Sequence, residues 1–293
     1  MSTEITTAFV KQYVRGITLL QQQLDSRFRD TVRRETIKGD QEFFDQVDAT
    51  AMSKRTTRHA DTVYTDVPHR RRSVTTSPYD TADLIDKPDL VRTLTDPENS
   101  YVKSFAAAAN RTIDDVIVAA FFATAKTGVD GTTDETFDTS AYASGGTGRR
   151  IDNTGAVLTV DKLIDCREAL EALENDPNET WYIGVTAKVK GDLLNQEKVT
   201  SSDYATLKAL VHGEIDTFLG FRFVNSERLE TDSADVLCPV WTKESMLMAT
   251  GQEPRGSVDT LPTKRNSVQV FYSLDVGATR MNSKGVLQLR TLA

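Results

Sequence analysis

Cysteine is nearly absent: Cys166 and Cys238 are the only two in 293 residues, and they show no CxxC spacing. That removes any disulfide framework, and a chain of this length does not need one to hold a core. Cys166 shares an apolar helical face with Leu163, Leu170 and Leu173, so both thiols are expected to be free and buried. Histidine is almost as scarce. His59 and His69 lack cysteine partners at ligand spacing, and His212 precedes a glycine at an expected helix end, so no metal site is assigned. Long hydrophobic runs are missing too: the longest, Val116 to Ala123, is eight residues. A bilayer-spanning helix needs about 20, so no membrane span is expected. The first fifteen residues carry Glu4, Lys11 and Arg15 without a compact apolar stretch. No secretory leader is expected, and a cytoplasm is the default place of folding.

The signatures of common enzymes are also lacking. There is no Gly-Lys pair for a phosphate-binding loop, no HExxH and no GxSxG. The cluster Gly145-Gly146-Thr147-Gly148 follows Ser and Thr instead of an apolar strand and opens no apolar helix, so it reads as a surface loop. Asp114-Asp115 and the pair Glu168 and Glu171 read as helix-start charge and a solvated face. Catalytic, cofactor-binding and metal residues are therefore all assigned as none, and no cofactor is expected.

What is present is a globular composition, 39% hydrophobic and 27% charged, with a net charge of -8. The charge is unevenly spread. Residues 51 to 72 hold Lys54, Arg55, Arg58, Arg70, Arg71 and Arg72 against Asp61 and Asp66. An acidic body with one basic segment is a poor grip for nucleic acid, which needs an extended positive footprint, and suits self-association between opposite patches. Arg70 to Arg72 are expected to meet carboxylates of a neighbouring copy through bidentate pairing.

Along the chain, Phe9, Tyr13, Ile17, Leu20, Leu24, Phe28 and Val32 form a helical stripe with polar residues between, which predicts one long amphipathic helix lying across something else. From Gly39 to Tyr79 apolar residues are sparse apart from Phe43, Phe44 and Val47. This predicts a projecting loop, with extended limbs at 62 to 67 and 72 to 76 on either side of Pro68. A long helix capped at Asp96 or Asn99 is expected to run to Phe122, with a bend near Asn110-Arg111. Gly128 to Gly155 reads as a loop or hinge. Helices over Val160 to Leu173 and Asp203 to His212 then alternate with strands over Trp181 to Val189 and Phe221 to Val224, which predicts a mixed sheet covered by helices. Alternation from Val268 to Val276, a turn at Asn282 to Gly285 and Val286 to Leu289 predict a carboxy-terminal hairpin.

The order of these segments resembles the major capsid proteins of tailed double-stranded DNA bacteriophages, which share the fold named after phage Hong Kong ninety-seven. The likeness rests on Tyr13 to Gln22, Arg58 to Thr62, Pro68 to Arg72, Ala82 to Asp86 and Asn110 to Asp115. It continues through Ser201 to Tyr204, Leu210 to Ile215, Phe218 to Phe221, Gly277 to Met281 and Lys284 to Val286. The resemblance implies an α+β fold: an amino-terminal arm at 1–38, an extended loop hairpin at 39–78, and a peripheral domain with a long spine helix at 79–128. An axial domain with a mixed central sheet follows at 129–262, and strands at 263–293 return to the peripheral domain. It further implies a non-enzymatic protein that self-assembles in hexamers and pentamers into the icosahedral head of a virion, put together in a host bacterial cytoplasm around packaged double-stranded DNA touched weakly and without sequence preference. Portal and scaffold proteins would take part in assembly, the scaffold as a separate chain, and a decoration protein could be added. Phe9, Tyr13, Ile17, Leu20, Leu24, Lys54, Arg55, Arg58, Arg70, Arg71 and Arg72 are the expected inter-subunit contacts. The rival readings are an encapsulin-like protein nanocompartment and a soluble enzyme.

Overall fold

A computed structural model describes residues 22–58, 61–62, 64–85, 98–143, 146–153, 155–173, 175–176, 178–196 and 217–292. From the amino terminus come β1 (Arg33–Thr36), β2 (Gln41–Val47), β3 (His69–Thr75) and β4 (Ser77–Ile85), then a 25-residue helix, α1 (Glu98–Phe122). Next are β5 (Ala125–Thr127), β6 (Thr133–Glu135), β7 (Arg150–Ile151), α2 (Val160–Ala172), β8 (Trp181–Val185) and α3 (Ala187–Leu194). The last strands are β9 (Thr217–Phe218), β10 (Phe221–Asn225), β11 (Thr231–Asp232), β12 (Asp235–Thr242), β13 (Met246–Leu261), β14 (Ser267–Arg280) and β15 (Val286–Leu292).

These strands form three sheets. The central one runs β7-β15-β12-β8-β10-β9, with β11 attached to β12. It is mixed as expected: β8 and β10 are parallel, while β12 is antiparallel to both β8 and β15. A second sheet, β1-β13-β14-β4, is built on the long β13–β14 ladder, and α1 packs against β14. The third, β2-β3-β5-β6, carries the projecting hairpin. One large hydrophobic core joins α1, α2, the central sheet and the inner end of β13–β14. At its centre Trp241 meets Phe121 at 4.7 Å and Phe28 at 5.7 Å between ring centroids. Cys166 and Cys238 are both free and buried there. Burial pushes both thiols up, Cys238 to about 12.

Several elements differ from the sequence reading. The part of the amino-terminal stripe that is described, Leu24 to Val32, is a series of bends and turns followed by a strand, not a helix. Side chains of the body capture its backbone, which overrides the local period. Phe9, Tyr13, Ile17 and Leu20 lie outside the described residues. The hairpin limbs are Gln41–Val47 and His69–Thr75, paired from Gln41↔Thr75 to Val47↔His69, instead of 62–67 and 72–76. Pro68 has no N–H, but its carbonyl accepts from Asp48 N at 3.0 Å and closes the ladder there. Helix α1 runs unbroken past Asn110-Arg111. Thr159 caps α2 as expected, accepting from Lys162 N at 3.2 Å. The strand expected to reach Val189 stops at Val185 because Thr186 caps α3. The helix expected over Asp203 to His212 lies outside the described residues. β12 and β13 were not anticipated. The carboxy-terminal strands do not pair with each other: β14 joins β13 and β4, whereas β15 crosses into the central sheet beside β12 and β7. A short 3-10 turn, Ser283–Gly285, capped by Asn282, makes that crossing.

Candidate functional site: a projecting hairpin and its anchors

In β2, Gln41, Phe43, Asp45 and Val47 are exposed, while Glu42, Phe44 and Gln46 turn toward the body, the period of two that a half-covered strand requires. The same alternation sorts the arginine triplet of β3. Arg71 lies on the outer face, where it pairs with Asp45 at 2.6 Å and its guanidinium sits 5.7 Å from the Phe43 ring. That hydrogen bond holds the Asp45 carboxyl below its ordinary value and raises Arg71. Arg70 lies farther out along the limb and pairs with Asp48 at 2.5 Å. Arg72, opposite Phe44, is only 4% exposed and points into the body. Each of the three arginines expected to meet a neighbouring copy has a carboxylate within its own chain, and Arg72 is buried against the body. Beyond the limbs, Lys54, Arg55 and Arg58 are exposed and have no carboxylate partner among the described residues. Met52 and Tyr64 beside them are 101% and 90% exposed.

The hairpin is anchored at its base. Arg72 donates through Nε to Met281 O at 3.1 Å, and through Nη2 to Ser283 Oγ at 3.2 Å and to the Glu135 carboxylate at 2.7 Å. Gln46 Nε2 donates to the same Met281 carbonyl at 3.2 Å. Ser283 Oγ donates to the other Glu135 oxygen and accepts from Arg280 Nε at 3.1 Å. Arg280 is fully buried. Its Nη1 donates to Phe121 O at 2.8 Å and Ala123 O at 2.9 Å, so it caps the carboxyl end of α1, where a cation complements the helix dipole. Burial pushes Arg280 down to about 10. Burial alone would raise Glu135, but hydrogen bonds from Arg72 and Ser283 and the charges of Arg72 and Arg280 outweigh it and hold the carboxyl below its ordinary value. Gly277 completes the base: a Cβ there would strike the backbone of Thr75 and Thr76, so only glycine lets β14 approach the start of β4.

A second anchor holds the amino-terminal segment. Asp114, in the second half of α1 and 0% exposed, accepts from Ser26 Oγ at 2.5 Å, Arg27 N at 3.0 Å, Phe28 N at 3.2 Å and Gln23 Nε2 at 2.5 Å. Asn110 Nδ2 donates to Leu24 O at 2.7 Å and Arg111 Nη1 to Gln22 Oε1 at 2.8 Å. Asp115 forms a bidentate pair with Arg228, beyond the end of β10. Held this way, Phe28 and Val32 enter the core, Trp241 Nε1 donates to Thr31 O at 3.1 Å, and β1 joins β13 in parallel. Leu24 stays 53% exposed.

Sequence reasoning missed Asp114, Glu135, Arg280 and Ser283. Two of them left a trace. Asp114 stands three and four residues before the apolar Ile117 and Val118, on a buried face, and Arg280 continues the inward register of Val268, Val270, Leu274 and Val276. Among the described residues no group of three or more His, Cys, Asp or Glu stands where it could hold a metal ion, and no helix is long and apolar enough to cross a membrane.

Comparison with known proteins gives this arrangement a context. The profile of a family described as "Phage capsid protein" matches residues 5–292. No curated protein matches the chain. Solved structures do. The capsid of cyanophage P-SCSP1u is similar with a TM-score of 0.72 and 15% identity, covering 99% of this chain and 94% of that one. Mycobacterium phage Che8 gives 0.68 and 17%, covering 96% and 97%. The capsid of the native GTA particle gives 0.69 and 15%, covering 97% and 94%.

Proposed function

The chain belongs to the phage capsid protein family and is a structural protein of the virion shell, and we propose that it closes an icosahedral head in hexamers and pentamers of itself around packaged double-stranded DNA. The observation that carries the finer reading is the loop between β2 and β3. It places Met52, Tyr64 and Val67 in solvent beside Lys54, Arg55 and Arg58, on a chain whose net charge is -8. An exposed apolar and basic projection on an acidic body is covered when it lies on a neighbouring copy, and many modest contacts of this kind stabilise a closed shell through multivalency.

In this reading Lys54, Arg55 and Arg58 contact acidic residues of the adjacent subunit. Arg70 and Arg71 meet it as ion pairs already formed with Asp48 and Asp45, and Leu24 is covered together with Phe9, Tyr13, Ile17 and Leu20. Arg72 is not among the contacts. The division into an arm at 1–38, a loop at 39–78, a peripheral part at 79–128, an axial part at 129–262 and carboxy-terminal strands at 263–293 belongs to the same proposal, with β14 returning to the sheet beside α1 and β15 crossing into the central sheet. So do a portal protein, a separate scaffold, a decoration protein, assembly in the host cytoplasm and weak non-specific contact with DNA.

The test is imaging of the assembled protein by electron microscopy, followed by a nucleic-acid assay of the contents. Closed particles that take up DNA during packaging support the proposal. Particles filled with a protein cargo would favour a nanocompartment, and a chain that stays monomeric with its partners present would overturn both. Charge reversal at Lys54, Arg55 and Arg58 is expected to lower particle yield. Unchanged yield and shape would remove those three residues from the interface.

A further inference from the structure

The hairpin and helix α1 share one polar node built on the buried Arg72 and Arg280, and its charges are unequal. Arg72 comes from β3, Arg280 from the end of β14, and Arg149 from the segment before β7. Facing them are the carboxylate of Glu135 at the end of β6 and, on the side of Arg149, that of Asp138. Among the described residues Glu135 is the one acid that bonds Arg72, and through Ser283 it also meets the guanidinium that caps α1. Arg72 Nη1 has no partner among the described residues, so the guanidinium is held by the groups already named. Among the described residues the rest of the attachment carries no second buried charge pair: β3 pairs with β5 over Arg72↔Thr127 and Ser73↔Lys126, Gln46 Nε2 and Arg71 Nη1 donate to Met281 O and Val129 O, Thr127 Oγ1 donates to Arg71 O, and Phe44 and Val74 pack in a small cluster with Ile37, Leu247, Ala249 and Met281.

We propose that Glu135 is a positioning residue: by holding Arg72 against Ser283 and Arg280 it fixes the angle of the β2–β3 hairpin relative to α1. Residues 48 to 68 extend beyond the last ladder pair, Val47↔His69. A ten-residue limb spans at most about 33 Å, so a tilt of about 10° at Arg72 displaces the tip by up to about 6 Å. That displacement exceeds the reach of a hydrogen bond, so an element that must register with a second copy needs a stiff base. The charge balance supplies the stiffness. Neutralising Glu135 leaves Arg72 and Arg280 buried side by side without their shared counter-charge, and the less enclosed of the two, Arg72 on the hairpin, is the one that can move out to water.

Because the Glu135 carboxyl lies below its ordinary value in the folded chain, the clamp is fully formed above the usual glutamate range and is lost only as pH falls through that lowered value. Asp45 and Asp138 also have lowered values, and Asp45 faces Arg71 on the outer side of the hairpin, so its contribution is separated with Asp45→Asn.

The positioning claim is tested first on the unassembled full-length chain, so this arm does not depend on the proposed shell. Hydrogen exchange is measured in wild type, Glu135→Gln, Ser283→Ala and Asp45→Asn. Glu135→Gln is expected to speed exchange in Gln41–Val47 and His69–Thr75 by about tenfold or more while α2 and β8 stay unchanged. Ser283→Ala, which keeps both charges, is expected to give a smaller rise in the same segments. In wild type and Asp45→Asn the hairpin should lose protection on acidification below the glutamate range, and Glu135→Gln should show no such step. Unchanged hairpin exchange, a rise spread evenly over the chain, or an acid step that survives in Glu135→Gln would each overturn the proposal. A second arm measures particle diameter and yield. If Glu135→Gln loosens the hairpin yet assembles normally, Glu135 still sets the angle but the inference that assembly needs that angle is overturned, while the shell reading stands.

Discussion

Residues 22–36 and residues 48–68 are alike in composition: both are rich in Arg, Asp and Thr, and neither carries enough apolar residues to build a core. Their fates differ completely. The first is drawn into the body, with Phe28 and Val32 buried, while the second keeps Met52, Tyr64 and Val67 in solvent. What separates them is a receiving surface. Asp114 collects the N–H groups of Arg27 and Phe28, Trp241 and Phe121 leave a slot for the Phe28 ring, and β13 offers an edge to β1. Among the described residues, the loop has only the base of its hairpin. Apolar density therefore does not decide burial by itself; a few apolar residues suffice where the body presents donors, acceptors and a shaped gap.

The comparison can be broken most forcefully at Phe28. Phe28→Ala is expected to cost about 3–5 kcal/mol, because it empties the space between Phe121 and Trp241, and thermal or denaturant unfolding measures it. An effect below about 1 kcal/mol would mean the segment is only loosely docked. Asp114→Ala strands Ser26, Arg27 N, Phe28 N and Gln23 together, and a loss of about 3 kcal/mol is expected, accompanied by new proteolytic cleavage before Arg33. Gly277→Ala forces a methyl group against the Thr75 backbone and is expected to destabilise by about 1–3 kcal/mol, with the hairpin exchanging faster than the central sheet. Tyr64→Ala should change the stability of the unassembled chain by no more than about 0.5 kcal/mol, since the ring touches little, yet lower particle yield if the loop is an assembly surface. A large loss of stability there would erase the contrast from the other side.

Much of the architecture is readable in the sequence where a local signal coincides with the final environment. α2 is one example, with Thr159 ahead of an apolar stripe, and the long helix ending at Phe122 is another. So is the mixed sheet. The misreadings occur where a distant group intervenes. Phe28 and Val32 are four apart and read as helix, but Asp114 takes the N–H groups and the chain turns instead. Asp114-Asp115 read as exposed helix-start charge because nothing local reveals the segment that Asp114 holds or the arginine, Arg228, that pairs with Asp115. Val286 to Leu289 was placed beside β14 because adjacent strands usually pair, but the turn over Ser283–Gly285 sends β15 to the other sheet. The loop itself was legible as a segment unable to cover itself. Its true limbs were not, since Phe43, Phe44 and Val47 alternate only weakly and the arginines of β3 look like a solvated run until strand alternation turns one of them inward.

The parallel pairing of β1 with β13 joins Arg33 to Leu247, so the front of the chain waits for its last third to emerge from the ribosome. At about 5–20 residues per second that delay is roughly 10–40 s, during which Phe28 has no slot and β1 has no edge. A nascent polypeptide of this kind stays open to chaperones for most of its translation, and residues 22–36 reach their seat only when synthesis is nearly over.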